Sequence, residues 1–327
     1  MNDAAGGAEP SAVGLDIGGQ SVKGVLVAAG GAVLADDSIA TGPSTTIESL
    51  ARSLSSLQSS LAGSSARRAV GVGIAGVIAK DGVLRGSPHL PLLVGSRISA
   101  ELSARMDTDV VVHNDADCAA MAEGWHGGAA EGREDFLLVA IGTGIGSGLV
   151  LGDRLRAGES GFGCELGHMT IVAGGRRCGC GNLGCLEAYI SETAAGHLVG
   201  EASPSVREAV AGHRAKGGGA AQALFELGAG GNAEAELLCG AMVDVLGAAI
   251  GSVVNVLDLT TIVLGGGVAP GILSRRERLL RAASSTLFAR PVEDLEIIAA
   301  ARGPLAGAIG AARLAAAHAP GRAALSV

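Results

Sequence analysis

The feature that most constrains this chain is a pattern that occurs twice: an apolar run, a glycine-rich turn, and a second apolar run. The first copy, AVGLDIGGQSVKGVLVAA, starts at Ala12, and the second, FLLVAIGTGIGSGLVLGD, starts at Phe136. Short aliphatic and β-branched runs punctuated by glycine read as strands, so each copy predicts a β-hairpin. After the first come a third run, AVLADDSIA, and a helical repeat of Ile47, Leu50, Leu54, Leu57 and Leu61. RAVGVGIAG follows as a strand, then an Asp81–Gly82 turn suggesting a further hairpin, a helix near 97–105, the strand DVVVHND and a helix from about Ala116. After the second copy come a Cys-rich loop, helices around 185–199 and 233–256, the strand TTIVLGG, a helix near 272–286, the strand LEIIAA and an Ala-rich helix, GPLAGAIGAARLAAA. Strands alternating with helices predict an α/β protein. The repetition predicts two similar domains, 1–117 with 303–327 and 118–302, with a ligand cleft between them.

Composition narrows the function classes. The formal net charge is −8 and no basic tract or aromatic-basic strip occurs, which argues against nucleic-acid binding. The pairs Arg67–Arg68, Arg176–Arg177 and Arg275–Arg276 are isolated and read as solvated faces. Mean hydropathy is +0.42. The most apolar stretch, Met242 to Leu259, is interrupted by Asp244, Asn255 and Asp258, so it reads as a buried helix and no membrane span is expected. The opening MNDAAGGAEPSA has neither a basic start nor an apolar core, so no secretory signal is read and a cytoplasmic location is expected. The 54 glycines are more than twice the usual share of about 7%, with no triplet period, so they are local devices in a globular chain.

Glycines allow positive φ and let backbone N–H groups come close to phosphate oxygens. One such turn is compatible with a plain hairpin. Two in equivalent places, Asp16-Ile-Gly-Gly-Gln-Ser and Gly142–Gly148, favour phosphate binding. No GxxxxGK[ST] motif occurs, and GVGIAG at Gly71–Gly76 lies in a strand that opens no helix, so a dinucleotide fingerprint is set aside.

His168, Cys178, Cys180 and Cys185 supply one imidazole and three thiols, a set that closes a tetrahedral structural Zn²⁺ site. Four protein ligands leave no open position, so the ion would organise its loop and activate no water. Glu165 and Glu187 each stand within three residues of a ligand. Asn114–Asp115 ends a β-branched strand just before a helix, where the pair reads either as a helix cap or as a carboxylate placed to act as a general base.

Taken together, ELGH, CGCGNLGCLEAY, DIGG, ND, GTGIGSG and VLGGG resemble the ROK family of sugar kinases and repressors, from Val13 to about Ala317. The resemblance implies a two-domain actin-like (ribonuclease-H-like) ATPase fold. It implies ATP-dependent phosphorylation of the 6-hydroxyl of a hexose, glucose by default, or of an amino sugar such as 3-amino-3-deoxyglucose, N-acetylglucosamine or N-acetylmannosamine. A non-catalytic sugar-sensing protein is the alternative of another class. Asp115 would be the base, and Gly76, Asn114, Asp115, Glu165, His168 and Glu187 would hold the sugar. Asp16 would help hold Mg²⁺ through water. Gly18, Gly19, Gln20 and Lys23, with Gly142, Thr143 and Gly144, would cradle phosphates, and Gly265 and Gly266 would lie by the adenosine. A homodimer or homotetramer is implied. The chain departs from the family pattern at Gln20 and Ser147, which the resemblance puts on the nucleotide side, at Ala75 and His89 on the sugar side, and at Cys118 and Cys164.

Overall fold

The computed structural model describes residues 10–63 and 69–318. The first nine residues and the Arg67–Arg68 pair lie outside the described residues. The elements begin with β1 (Pro10–Ile17), β2 (Ser21–Ala28), β3 (Val33–Ala40), α1 (Ile47–Ala62), β4 (Val70–Ile74), β5 (Val77–Ile78), β6 (Leu84–Gly86), α2 (Ile98–Met106), β7 (Val110–Asn114) and α3 (Asp115–Glu123). They continue with β8 (Phe136–Ile141), β9 (Ile145–Val150), α4 (Glu192–Glu201), α5 (Pro204–Arg214), α6 (Ala220–Ala229), α7 (Ala233–Leu257), β10 (Thr261–Gly265), α8 (Ala269–Leu273), α9 (Arg276–Ser284), β11 (Glu296–Ala299) and α10 (Ala306–His318). Two compact units result. One holds the described residues up to Leu138, with Gly148–Cys164 and the chain from Ala300; the other holds Val139–Ser147 and Glu165–Ala299. The division differs from the expected break after residue 117, which would cut α3 near its start. Helix α3 packs on α10 and belongs with it.

In the first unit a five-stranded sheet runs in the order β3-β2-β1-β4-β7. The β1–β2–β3 meander is antiparallel, whereas β1, β4 and β7 are parallel. Side chains alternate across a strand, so Val13, Leu15 and Ile17 share one face. That face is buried with Leu50, Leu54, Leu57 and Leu61 of α1 and Ile98 and Leu102 of α2. The opposite face carries Gly14 and Asp16, and α10 lies on it. A methyl on Gly14 would strike the carbonyl of Ala308, and one on Gly71 that of Ala311. This explains the GVGIAG run in physical terms: its first glycine admits a helix backbone against the sheet. Gly310 does the same for α10 on α3, because a methyl there would land on the carbonyl oxygen of Cys118.

A four-stranded sheet runs in the order β11-β10-β8-β9, and its residues in the second unit are β10 and β11 with Val139–Ile141 of β8 and Ile145–Ser147 of β9. Read from its hairpin outward, β9-β8-β10-β11 repeats the β2-β1-β4-β7 order of the first unit, as the recurring pattern predicts. Helices α5 and α6 were not expected. Only Val206 and Val210 of α5 are buried, too few to make a visible stripe. Helix α7 is long and apolar enough, by length and composition, to cross a membrane, with a mean hydropathy of 2.1 in its most apolar window. Here it is a packed helix, lying against α6 and α9. Its polar interruptions are used: Asp244 pairs with Arg278 at 2.7 Å, and Asn255 bonds Thr286 and Phe288. Arg275 is not on a solvated face as expected. Its guanidinium is paired with Glu236 and lies 4.9 Å from the Phe225 ring centre, because α7 supplies the countercharge.

The contact between α3 and α10 leaves no room for a side chain at Gly310. Gly310→Ala should lose several kcal/mol of unfolding free energy in urea melts, above the ~1–3 kcal/mol typical of overpacking. Gly212→Ala, on an α5 position with nothing within 4 Å, should be neutral or slightly stabilising.

Candidate functional site

In the first unit the site residues gather where parallel strands end. Register aligns Asp16 with Gly73 and Gly73 with His113, and likewise Ile17 with Ile74 and Ile74 with Asn114. The carboxyl ends of β1, β4 and β7 therefore form one edge, the place where open α/β sheets bind ligands. Gly73, between the outer two strands, faces Cys118 and the Asp16 carboxylate and adds no bulk there.

Asn114 caps α3: its Oδ1 accepts from the N–H groups of Ala116 at 2.8 Å and Asp117 at 3.2 Å. Its Nδ2 donates to the carbonyl of Gly76 at 3.1 Å, leaving one amide hydrogen for another acceptor. The cap thus fixes the next residue, Asp115, on the first turn of the helix. Burial raises the Asp115 pKa above the usual carboxylate range, against the opposing pull of the Ala116 N–H, which donates at 2.9 Å, and of nearby His89. Asp16 is pushed up to about 7, first by burial and then by the negative charge of Asp115, with Lys23 only partly offsetting them. Lys23 Nζ donates to the carbonyl of Pro304 at 3.1 Å. Gly307 gives Asp16 its room, since a methyl there would sit 2.6 Å from the carboxyl carbon.

The first glycine turn is closed by Gly18 N–H donating to Ser21 O at 3.0 Å. Neither Gly18, Gly19, Gly142 nor Gly144 has positive φ. Space, not left-handed backbone, is what Gly19 and Gly144 supply. A methyl on Gly19 would be 2.9 Å from the His89 ring, and one on Gly144 would collide with Glu187. Gln20 is exposed.

In the second unit Glu187 and the first residues of α4 hold the second turn. Glu187 Oε2 accepts from Ile145 N–H at 2.8 Å. Glu192 N–H donates to Gly142 O at 2.8 Å, and Thr193 Oγ1 donates to Thr143 O at 2.8 Å. Gly266, at φ +84°, fits against Ile141, whose carbonyl accepts from Val268 N–H at 3.1 Å. Gly265 and Gly266 therefore end β10 beside the end of β8, the strand that leads into Gly142, Thr143 and Gly144.

The donor atoms of His168, Cys178, Cys180 and Cys185 lie within 4.8 Å of one another. Cys180 Sγ and Cys185 Sγ are 3.8 Å apart, as are Cys178 Sγ and His168 Nδ1. Thiolates about 2.3 Å from a tetrahedral Zn²⁺ stand about 3.8 Å apart, so the set fits that ion. Nδ1 is the histidine atom turned toward the thiols.

The structure thus brings the predicted residues together in two groups. Asp16, Gly18, Gly19, Gln20, Lys23, Gly76, Asn114 and Asp115 lie in the first unit, and Gly142, Thr143, Gly144, Glu165, His168, Glu187, Gly265, Gly266 and the three cysteines in the second. Residues 12–318 match the ROK family. The chain belongs to the ROK family. A glucokinase of Thermotoga maritima is 30% identical over 266 residues, 79% of this chain and 82% of that protein. An N-acetyl-D-glucosamine kinase of Pectobacterium carotovorum is 31% identical over 264 residues, 75% and 79% of the two chains. Among solved structures, a ROK family glucokinase from Streptomyces griseus in complex with glucose and AMPPNP shares 28% identity with a TM-score of 0.75, covering 93% of this chain and 98% of that one. The fold is the actin-like ATPase fold that the motifs imply.

Two clamps on the ROK second turn escaped the sequence reading, Glu192 and Thr193. Ser191, which caps α4 through the N–H of Ala194, is the signal that could have found them, because a cap two residues after LEAY fixes where the next two residues sit.

Asp16 titrates near 7 when folded and near 3.8 when unfolded, so the native state binds its proton more tightly. Stability from this group must then fall as pH rises from about 4 through 7. In nucleotide-free, magnesium-free protein, Asp16→Asn should melt at a higher temperature than the parent at about pH 8, with the gap closing toward pH 4. Equal melting temperatures across that range would remove the basis for the shift.

Proposed function

We propose that this chain is an ATP-dependent sugar kinase that phosphorylates the 6-hydroxyl of a hexose, with D-glucose the default acceptor. The observation that carries the reading is Asp115: a half-buried carboxylate with a raised pKa, fixed on the first turn of α3 by the Asn114 cap. A raised pKa makes the ionised carboxylate a stronger base, and a positioned base typically contributes ~10²–10⁴-fold.

In this reading Asp115 removes the hydroxyl proton as the sugar oxygen bonds to the γ-phosphorus of ATP. The bond from that phosphorus to the bridging oxygen breaks, and ADP leaves with the electron pair. Little covalent work falls to the protein, so orientation and charge dominate. Asp16 is a site for a hard cation: burial and Asp115 raise its pKa, and Lys23 does not fully compensate. Mg²⁺ held there through water would neutralise phosphate charge. His168, Cys178, Cys180 and Cys185 would hold Zn²⁺, which would order the loop. With Nδ1 on the thiol side, His168 keeps Nε2 for a sugar hydroxyl. Glu165 accepts from another hydroxyl. Glu187 divides its work, since one oxygen already holds the second turn. Gly18, Gly19, Gln20, Lys23, Gly142, Thr143 and Gly144 face phosphates, and Gly265 and Gly266 the adenosine.

An amino-sugar kinase is the second reading, supported by N-acetyl-D-glucosamine kinases at 31% identity, level with the glucokinases. An ADP-release assay across glucose, N-acetylglucosamine, N-acetylmannosamine and 3-amino-3-deoxyglucose separates the two. Asp115→Asn should lower kcat by at least ~10²-fold while sugar binding by calorimetry changes little; near-parent turnover would sink the assignment. Elemental analysis should find one zinc per chain, and chelation should lower both melting temperature and sugar affinity. Protein purified without chelator and free of zinc would contradict the metal reading.

A further inference from the structure

Ser147 is a departure from the family pattern, and its place in the second unit gives it a different task from the one its motif suggests. It lies on β9, two residues after Ile145 and on the same face, and is 7% exposed. Its Oγ accepts the N–H of Leu166 at 3.1 Å. Leu166 opens the single 3-10 turn Leu166–His168, whose preceding residue, Glu165, makes no side-chain cap. The first N–H groups of a helical turn have no partner within it, and a buried one left unpaired is costly. Ser147 therefore does from the neighbouring strand what a cap would do locally.

A second observation points the same way. Gly167, inside that turn, lies so close to β9 that a methyl would be 2.6 Å from Ile145 O and 2.9 Å from Ile145 Cβ. Glu165 and His168 flank this contact, and the carbonyl of Glu165 accepts the N–H of His168 at 3.0 Å. The turn is thus pinned to β9 by a close backbone approach and one hydroxyl. A glycine at 147 would keep the approach and lose the hydroxyl.

We propose that Ser147 is a positioning residue for the Glu165–His168 turn, so that it sets the affinity for the sugar acceptor and leaves nucleotide affinity nearly unchanged. The kinetic part rests on the sugar-kinase reading; the link from Ser147 to the turn does not. The discriminating variants are Ser147→Ala, which removes only the oxygen, and Ser147→Thr, which restores a hydroxyl. Loss of the bond should raise the KM for D-glucose, or for whichever sugar of the acceptor panel is turned over best, roughly 5- to 20-fold, with the KM for ATP within about 2-fold. Hydrogen–deuterium exchange of the peptide covering 165–170 should quicken by a similar factor in Ser147→Ala and return toward the parent in Ser147→Thr. A rise in the ATP KM alone, or unchanged exchange at 165–170 with a folded variant, overturns the proposal. If the parent turns over no sugar, the kinase reading fails, and the exchange measurement still decides whether Ser147 holds the turn.

Discussion

Asp16 and Asp115 are two carboxylates at the carboxyl ends of the parallel strands of one mixed sheet, and desolvation disfavours the ionised form of both. Much around them answers that constraint. Asn114 caps α3 so that an N–H of the first turn reaches Asp115, and Lys23 and His89 contribute only partial countercharge. The small residues of α10 and the glycines at 14 and 71 let a helix backbone lie almost on the sheet beneath the pair. A structure built for stability alone would have no reason to keep Asp16 there with only Lys23 partly offsetting it. Strongly perturbed carboxylates of this kind mark functional sites, and a divalent cation with its phosphates is a natural partner for them.

The second unit uses different physics. It has little aromatic surface in its metal loop, and the segment between His168 and Cys185 is rich in Gly and Arg. With a metal ion bound, the four donor atoms would provide the organising centre that an apolar core would otherwise supply. From that centre Glu187 reaches Ile145, Glu192 and Thr193 hold Gly142 and Thr143, and Ser147 holds Leu166. Gly144 of the second turn is small because Glu187 occupies the space beside it, not because the chain there needs left-handed φ.

Much of this was legible in the residues. The two hairpins, the α1 stripe, the His-Cys set and the ND cap all depend on local spacing, and local spacing is what periodicity reports. The rest was illegible for identifiable reasons. Helix α5 buries two side chains and shows no stripe. The division after Leu138 depends on α3 packing against α10, nearly two hundred residues away along the chain. Arg275 looks like a surface charge until α7 brings Glu236 to it. Ser147 sits in a nucleotide-like motif, and only the fold shows its hydroxyl turned to Leu166.

Asp115, half-buried and with its pKa raised, is proposed as the base. The pH dependence of kcat/KM for the best sugar of the acceptor panel tests it most directly. An acid limb is expected with its midpoint above the ordinary aspartate value of 3.8, activity rising as Asp115 loses its proton. A rate that stays flat down to about pH 4 would contradict it.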